Sequence, residues 1–228
     1  MSVVYKNILF DLDGTLTDPY SGITNSVKYA LGKFNILEND ENKLKLFIGP
    51  PLDTSFMEYY SFDKNKSKIA IDYYREYFSK KGIYENKLYD NVENLLKNIT
   101  IKNKNTILAT SKPKKFALEI LDYFKIGKYF KEVVGSNLDG TLSEKGEIIK
   151  YIIEKNSFNK IETIMIGDRK YDIIGAHMNN IDSIAVMYGY GSKEELEEAK
   201  PTYFCEEVMD ILKIVELESL LTYPSISY

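Results

Sequence analysis

The chain has 228 residues, 44% of them hydrophobic and 28% charged, the balance of a globular protein with a sizeable core and not of a disordered or fibrous chain. Lys plus Arg number 30 against 34 Asp plus Glu, a net charge of −4, so a nucleic acid polymer finds little to hold. One cysteine (Cys205) and one histidine (His177) exclude an internal disulfide and a Cys/His zinc site within one subunit, leaving carboxylates, hydroxyls and lysines for any chemistry.

The first element in chain order is a strand over 7–10, and the residues before it lack the long apolar stretch of a secretory signal. No run approaches the roughly 18 apolar residues of a membrane span, so a cytoplasmic protein without membrane contact is expected. Residues 17–86 then read as helical. Ile23, Val27, Ala30, Leu31 and Phe34 form one apolar stripe, and Ile69, Tyr73 and Tyr77 with Ala70, Tyr74 and Phe78 form a second, wider one. Between them the loop Phe47-Ile-Gly-Pro-Pro-Leu52 is stiffened by two prolines.

From about residue 87 strand and helix alternate. Helical spacing at Val92, Leu95, Leu96 and Ile99 precedes a strand over 106–110. A helix with Phe116, Ala117, Ile120, Leu121 and Phe124 precedes a strand over 133–135, and one with Ile148, Ile149, Ile152 and Ile153 precedes strands over 163–166 and 183–187. A weaker strand covers 202–205. Start signals are Asp90 three residues before Glu93, Pro113 at a first helical position and Ser192 three residues before Glu195. Strands that are continuously apolar predict an α/β fold whose parallel sheet is covered on both faces.

The chemistry concentrates where strands end. In ILFDLDGTLTD the first strand runs into Asp11 and Asp13, followed by Gly14 and Thr15. Ligands of open parallel sheets bind beyond the carboxyl ends of strands, and two carboxylates crowded there call for a hard cation such as Mg²⁺. In MIGDRKYD another apolar strand ends in Asp168, with Asp172 four residues on; Asp168 serves either as a third carboxylate at the same edge or as a helix cap. In ILATSKP, Thr110 and Ser111 open a helix, either as its caps or, with free N–H groups, as a phosphate seat. Lys145, in LSEKGEII, stands just before a further apolar helix.

The ordered set DLDGT, TSKP, Lys145 and GDRKYD resembles the haloacid dehalogenase superfamily of hydrolases, over essentially the whole chain. The helical segment after the first strand resembles the cap of the phosphoglycolate phosphatase and β-phosphoglucomutase branch. The strings FIGPPL, GSNLDGT and YGYGS look most similar to 5′-nucleotidase-like phosphatases. The resemblance implies a Rossmann-like parallel-sheet core formed by 1–16 and 87–228, with an inserted α-helical cap over 17–86. It implies that Asp11 is a nucleophile forming an aspartyl-phosphate and Asp13 the acid and base. Mg²⁺ would be held by the Asp11 carboxylate, the Asp13 backbone carbonyl and Asp168. Phosphate oxygens would be bound by Thr110, Ser111 and Lys145, and Asp172 would orient Lys145 or a metal-bound water.

One departure is Gly146, where many relatives carry proline after the lysine, which makes Lys112 a rival to Lys145. The implied partner is a small soluble phosphomonoester, nucleoside 5′-monophosphates first, phosphoglycolate or a sugar phosphate second. A phosphomutase and a non-catalytic phosphate-binding protein are the remaining alternatives.

Overall fold

The computed structural model describes residues 4–216. Its main sheet has six parallel strands in the order β5-β4-β1-β6-β7-β8: β1 is Asn7–Phe10, β4 Asn105–Pro113, β5 Glu132–Ser136, β6 Thr163–Gly167, β7 Asp182–Val186 and β8 Tyr203–Cys205. β1 is central, Asn7 to Phe10 pairing with Asn105 to Leu108 on one side and with Thr163 to Ile166 on the other. All six expected strands are present, and β4 runs three residues further than read, to Pro113, through an irregularity after Thr110.

Alternate residues of each strand feed opposite faces, and each face is covered. Ile8, Phe10, Leu108, Ile164 and Ile166 pack with α5 (Val92–Ile101), α6 (Lys114–Tyr123) and α10 (Asp210–Val215). Leu9, Ile107, Ala109 and Met165 pack on α7 (Lys145–Asn156) and on Ala176 of α8 (Lys170–Met178). Ala185 meets Ile173 of α8 and Leu196 of α9 (Lys193–Ala199). Burial on both sides is why these strands read as unbroken apolar runs.

After β1 the chain forms the short strand β2 (Thr17–Asp18), then α1 (Tyr20–Gly32), α2 (Glu41–Lys45), α3 (Leu52–Tyr60), α4 (Lys64–Tyr77) and one π-helical turn, Phe78–Gly82. It returns through β3 (Lys87–Leu88), antiparallel to β2, so a two-stranded ribbon ties the ends of the helical segment together. On α1, Ile23, Val27, Ala30 and Leu31 are buried as the spacing predicts. On α4 the buried line is Ser67, Ala70 and Tyr74, continued by Phe78, whereas Ile69 is 48% exposed. Only one side of α4 faces α1 and α3, so the broad stripe read from sequence narrows to that side. These residues join Phe10, Leu12, Leu16 and Phe116 in one apolar cluster, so the helices are packed down on the carboxyl edge of the sheet.

Two start signals fall differently. Asn91, in the left-handed region, and not Asp90, precedes α5. Pro113 stands just before α6 and ends β4. Ser192 caps α9 as expected, its hydroxyl accepting from Glu195 N.

Candidate active site

Asp11 directly follows β1, its N–H still donating to Ile166 O of β6 at 2.9 Å. The chain then turns sharply: Thr15, Leu16 and Thr17 N–H groups all donate to Leu12 O, and Gly14 N donates to Thr17 O at 2.7 Å. Gly14 has φ +82°, and a Cβ there would lie 2.0 Å from Asp168 Oδ2. Glycine therefore meets both demands of the DLDGT turn, a left-handed backbone and room for the Asp168 carboxylate. The turn presents Asp11 and Asp13, both nearly buried.

Asp168 follows β6 and is fully buried. Its Oδ2 accepts from Tyr190 N at 2.8 Å, and its backbone carbonyl accepts from Gly191 N. Asp172, in the first turn of α8, accepts from Arg169 N at 3.1 Å. Asp11, Asp168 and Asp172 each offer a carboxylate oxygen within 4.8 Å of the others. The Asp13 side chain lies outside that group and instead meets Lys112, Oδ2 to Nζ at 2.5 Å.

Lys145, the first residue of α7, is buried and places Nζ 2.8 Å from Asp11 Oδ1, 2.7 Å from Asp172 Oδ1 and 3.0 Å from Ala109 O. Lys145 and Lys112 thus pair with different aspartates of the same turn, Lys145 with Asp11 and Lys112 with Asp13. The sequence signal for Lys112 is its place two residues past Thr110, on a strand that ends beside Asp11. Thr110 is buried, and its hydroxyl accepts from Lys112 N at 3.3 Å.

The electrostatics follow from burial and crowding. Burial opposes the charge on Lys145, but the Asp11 and Asp172 carboxylates outweigh it and raise its pKa. Burial, then Asp172 and Asp11, push Asp168 well above the usual carboxylate range. Burial raises Asp13 against the pull of Lys112, and burial brings Asp172 to about 6 despite Lys145. Four carboxylates face two ammonium groups, and Asp168 Oδ1 is buried with no hydrogen-bond partner among the described residues. An all-oxygen donor set with surplus negative charge fits a hard divalent cation.

A cavity of about 530 Å³ opens onto Asp11, Asp13, Thr110, Ser111 and Lys112. Its other walls come from the helical segment, including Phe47, Gly49, Pro50, Pro51, Tyr74, Arg75 and Phe78, and from the loop after β5. Asp168, Asp172 and Lys145 do not line it. Tyr188 donates to Thr15 O, and Tyr20 lines a separate hollow with Glu41. His177 is on α8 and is not among the cavity residues.

The chain is 42% identical over 212 residues to a 5′-nucleotidase of Pseudomonas aeruginosa, covering 93% of this chain and 96% of that one. It is 24% identical to a phosphoglycolate phosphatase of Vibrio parahaemolyticus, over 94% of this chain and 97% of that one. A crystal structure from Clostridium acetobutylicum, described as a predicted phosphatase, shares 51% identity and superposes with a TM-score of 0.90 over 94% of this chain and 100% of that one. Residues 8–186, from β1 through β7, match the model of the haloacid dehalogenase-like hydrolases, and the chain is an enzyme of that family.

Proposed function

We propose that this hydrolase is a Mg²⁺-dependent phosphatase that cleaves nucleoside 5′-monophosphates through an aspartyl-phosphate on Asp11. The carrying observation is the convergence of Asp11 and Asp13 on one cavity wall, each paired with a lysine, beside the surplus carboxylates of Asp168 and Asp172. In this reading residues 17–86 are the cap that covers the site.

Asp11 attacks phosphorus in line while the ester P–O bond breaks, and Asp13 gives its proton to the leaving oxygen. Asp13 then takes a proton from water, which attacks phosphorus, breaks the Asp11–phosphate bond and frees inorganic phosphate. Lys145 and Thr110 hold the transferred oxygens, with Ser111 beside them, and Asp172 keeps Lys145 in place. Lys112 seats the Asp13 carboxyl. The Asp11 carboxylate, the Asp13 carbonyl and Asp168 would hold Mg²⁺, which would supply the charge neutralisation that lets an anionic nucleophile approach a phosphate dianion.

The nucleotide class is supported by the higher identity to the 5′-nucleotidase than to the phosphoglycolate phosphatase. It also suits a cavity whose walls include Phe47, Tyr74, Phe78 and Phe116, since aromatic surfaces favour a flat base. The test is phosphate release from a panel of nucleoside 5′-monophosphates, phosphoglycolate and sugar phosphates, with Mg²⁺ and with EDTA. Preferred, metal-dependent release from the nucleotides is expected, together with about 10⁴-fold loss or more in Asp11→Asn. Undiminished turnover by Asp11→Asn rejects the nucleophile; preference for phosphoglycolate rejects the substrate class alone.

A further inference from the structure

Arg169 follows Asp168 and is 8% exposed, yet it reaches away from the carboxylate cluster. Its guanidinium forms a fork with Glu195 of α9, Nε to Oε1 at 2.9 Å and Nη2 to Oε2 at 3.1 Å. Glu195 is itself fixed, accepting from Lys170 N at 2.9 Å while its own N–H donates to the Ser192 cap. The remaining edge of the guanidinium, Nη1, donates to the carbonyl of Ile48 in the loop between α2 and α3.

The next residue, Gly49, has φ +109°, and a Cβ there would stand 2.9 Å from both Arg169 Cγ and Nη1. The loop backbone therefore lies directly on the arginine stem, an approach that only glycine allows. Gly49, Pro50 and Pro51 then form part of the cavity wall that includes Asp11 and Asp13. The arginine thus links the loop that carries Asp168 with a carbonyl 121 residues earlier in the chain, through a planar fork held rigid from the core side.

We propose that Arg169 is a positioning residue for the cavity: anchored by Glu195, its guanidinium seats the Ile48 carbonyl and holds Gly49, Pro50 and Pro51 in the wall they share with Asp11 and Asp13. The arginine does not touch the reacting atoms; it acts by fixing the loop. The inference rests on the phosphatase reading only for its kinetic consequence. A lysine keeps the charge but cannot engage Glu195 and Ile48 with one rigid plane, so Arg169→Lys behaves more like Arg169→Met than like the native residue.

The test is hydrogen exchange followed by mass spectrometry on the full chain, comparing residues 44–52 with residues 92–101, alongside kcat and KM for a nucleoside 5′-monophosphate. For Arg169→Met the expected result is about tenfold faster exchange confined to 44–52, with kcat/KM about tenfold lower and most of the change in KM. Gly49→Ala dislodges the loop from its own side with Arg169 intact, and the same pair of changes is expected. It decides the matter should Arg169→Met fail to fold.

Unchanged exchange in 44–52 overturns the proposal, whether or not activity falls. Faster exchange spread equally over 92–101 overturns it too, because Arg169 is then a general support of the fold. Failure of the phosphatase reading shows separately, as turnover that survives Asp11→Asn, and leaves the exchange result able to stand by itself.

Discussion

Lys145 lies within 3 Å of two carboxylates that are themselves buried, so none of the three charges is independent of the others. Removing one member of such a cluster leaves an uncompensated charge in a poorly solvated place, which costs more than the pair contributes when intact. Lys145→Met is therefore expected to lower the unfolding free energy by about 3 kcal/mol in urea titration without added metal. A loss below about 1 kcal/mol would show that the surrounding aspartates give up their charge easily. Gly146, the departure from the proline of many relatives, stands against Met178 of α8. Its amide carbonyl accepts from Asn179 Nδ2 at 2.9 Å. The substitution thus belongs to the packing of α7 on α8, and Lys145 reaches the cluster with it in place.

At the scale of elements, strand ends deliver the chemistry: Asp11 directly follows β1, Asp168 directly follows β6, and the last regular pair of β4 is at Thr110. These were legible because a buried parallel strand is an apolar run and the polar residue that stops it is conspicuous. The helical stripes of α1, α5 and α7 were legible for the same reason. Caps were less so. Asp90 and Asn91 are adjacent residues of similar cap preference, and the left-handed backbone that selects Asn91 has no signature at single-residue resolution. The partners of Lys112 and Arg169 were not legible either, since their contacts, Asp13 and Ile48, lie about a hundred residues away in sequence.

The α9 contact carries its own pH prediction. Burial works against the charge on Glu195, but Arg169 and the Lys170 N–H hold its pKa below the ordinary 4.5. A carboxylate depressed in the folded state stabilises it above the unfolded pKa, and that contribution is lost as pH falls through the folded value. Thermal melts should show the native chain above Glu195→Gln at pH 7, with the gap closing as pH drops below about 4.5. A gap that is constant with pH would mean that the charge on Glu195 adds nothing.

On the scale of the whole molecule, the helical segment and the sheet share one apolar cluster, and the cavity lies where they meet. Among the described residues no helix is long and apolar enough to cross a membrane. The surplus of buried carboxylates at this junction opposes the fold, and a cation held there would relieve it; on the proposed function Mg²⁺ should therefore raise the melting temperature in a concentration-dependent way. At a hundredfold excess over Kd the gain is about 2.7 kcal/mol, and Asp168→Asn should abolish most of it. An equal shift in that variant would place the ion elsewhere.

The proposed nucleophile can be tested directly. Acid quenching during turnover of a nucleoside 5′-monophosphate with Mg²⁺, followed by borohydride reduction and peptide mapping, converts an aspartyl-phosphate to homoserine at the residue that carried it. Homoserine at position 11, absent when substrate or Mg²⁺ is omitted, is the predicted result; efficient turnover with the modification at another residue, or at none, would contradict it.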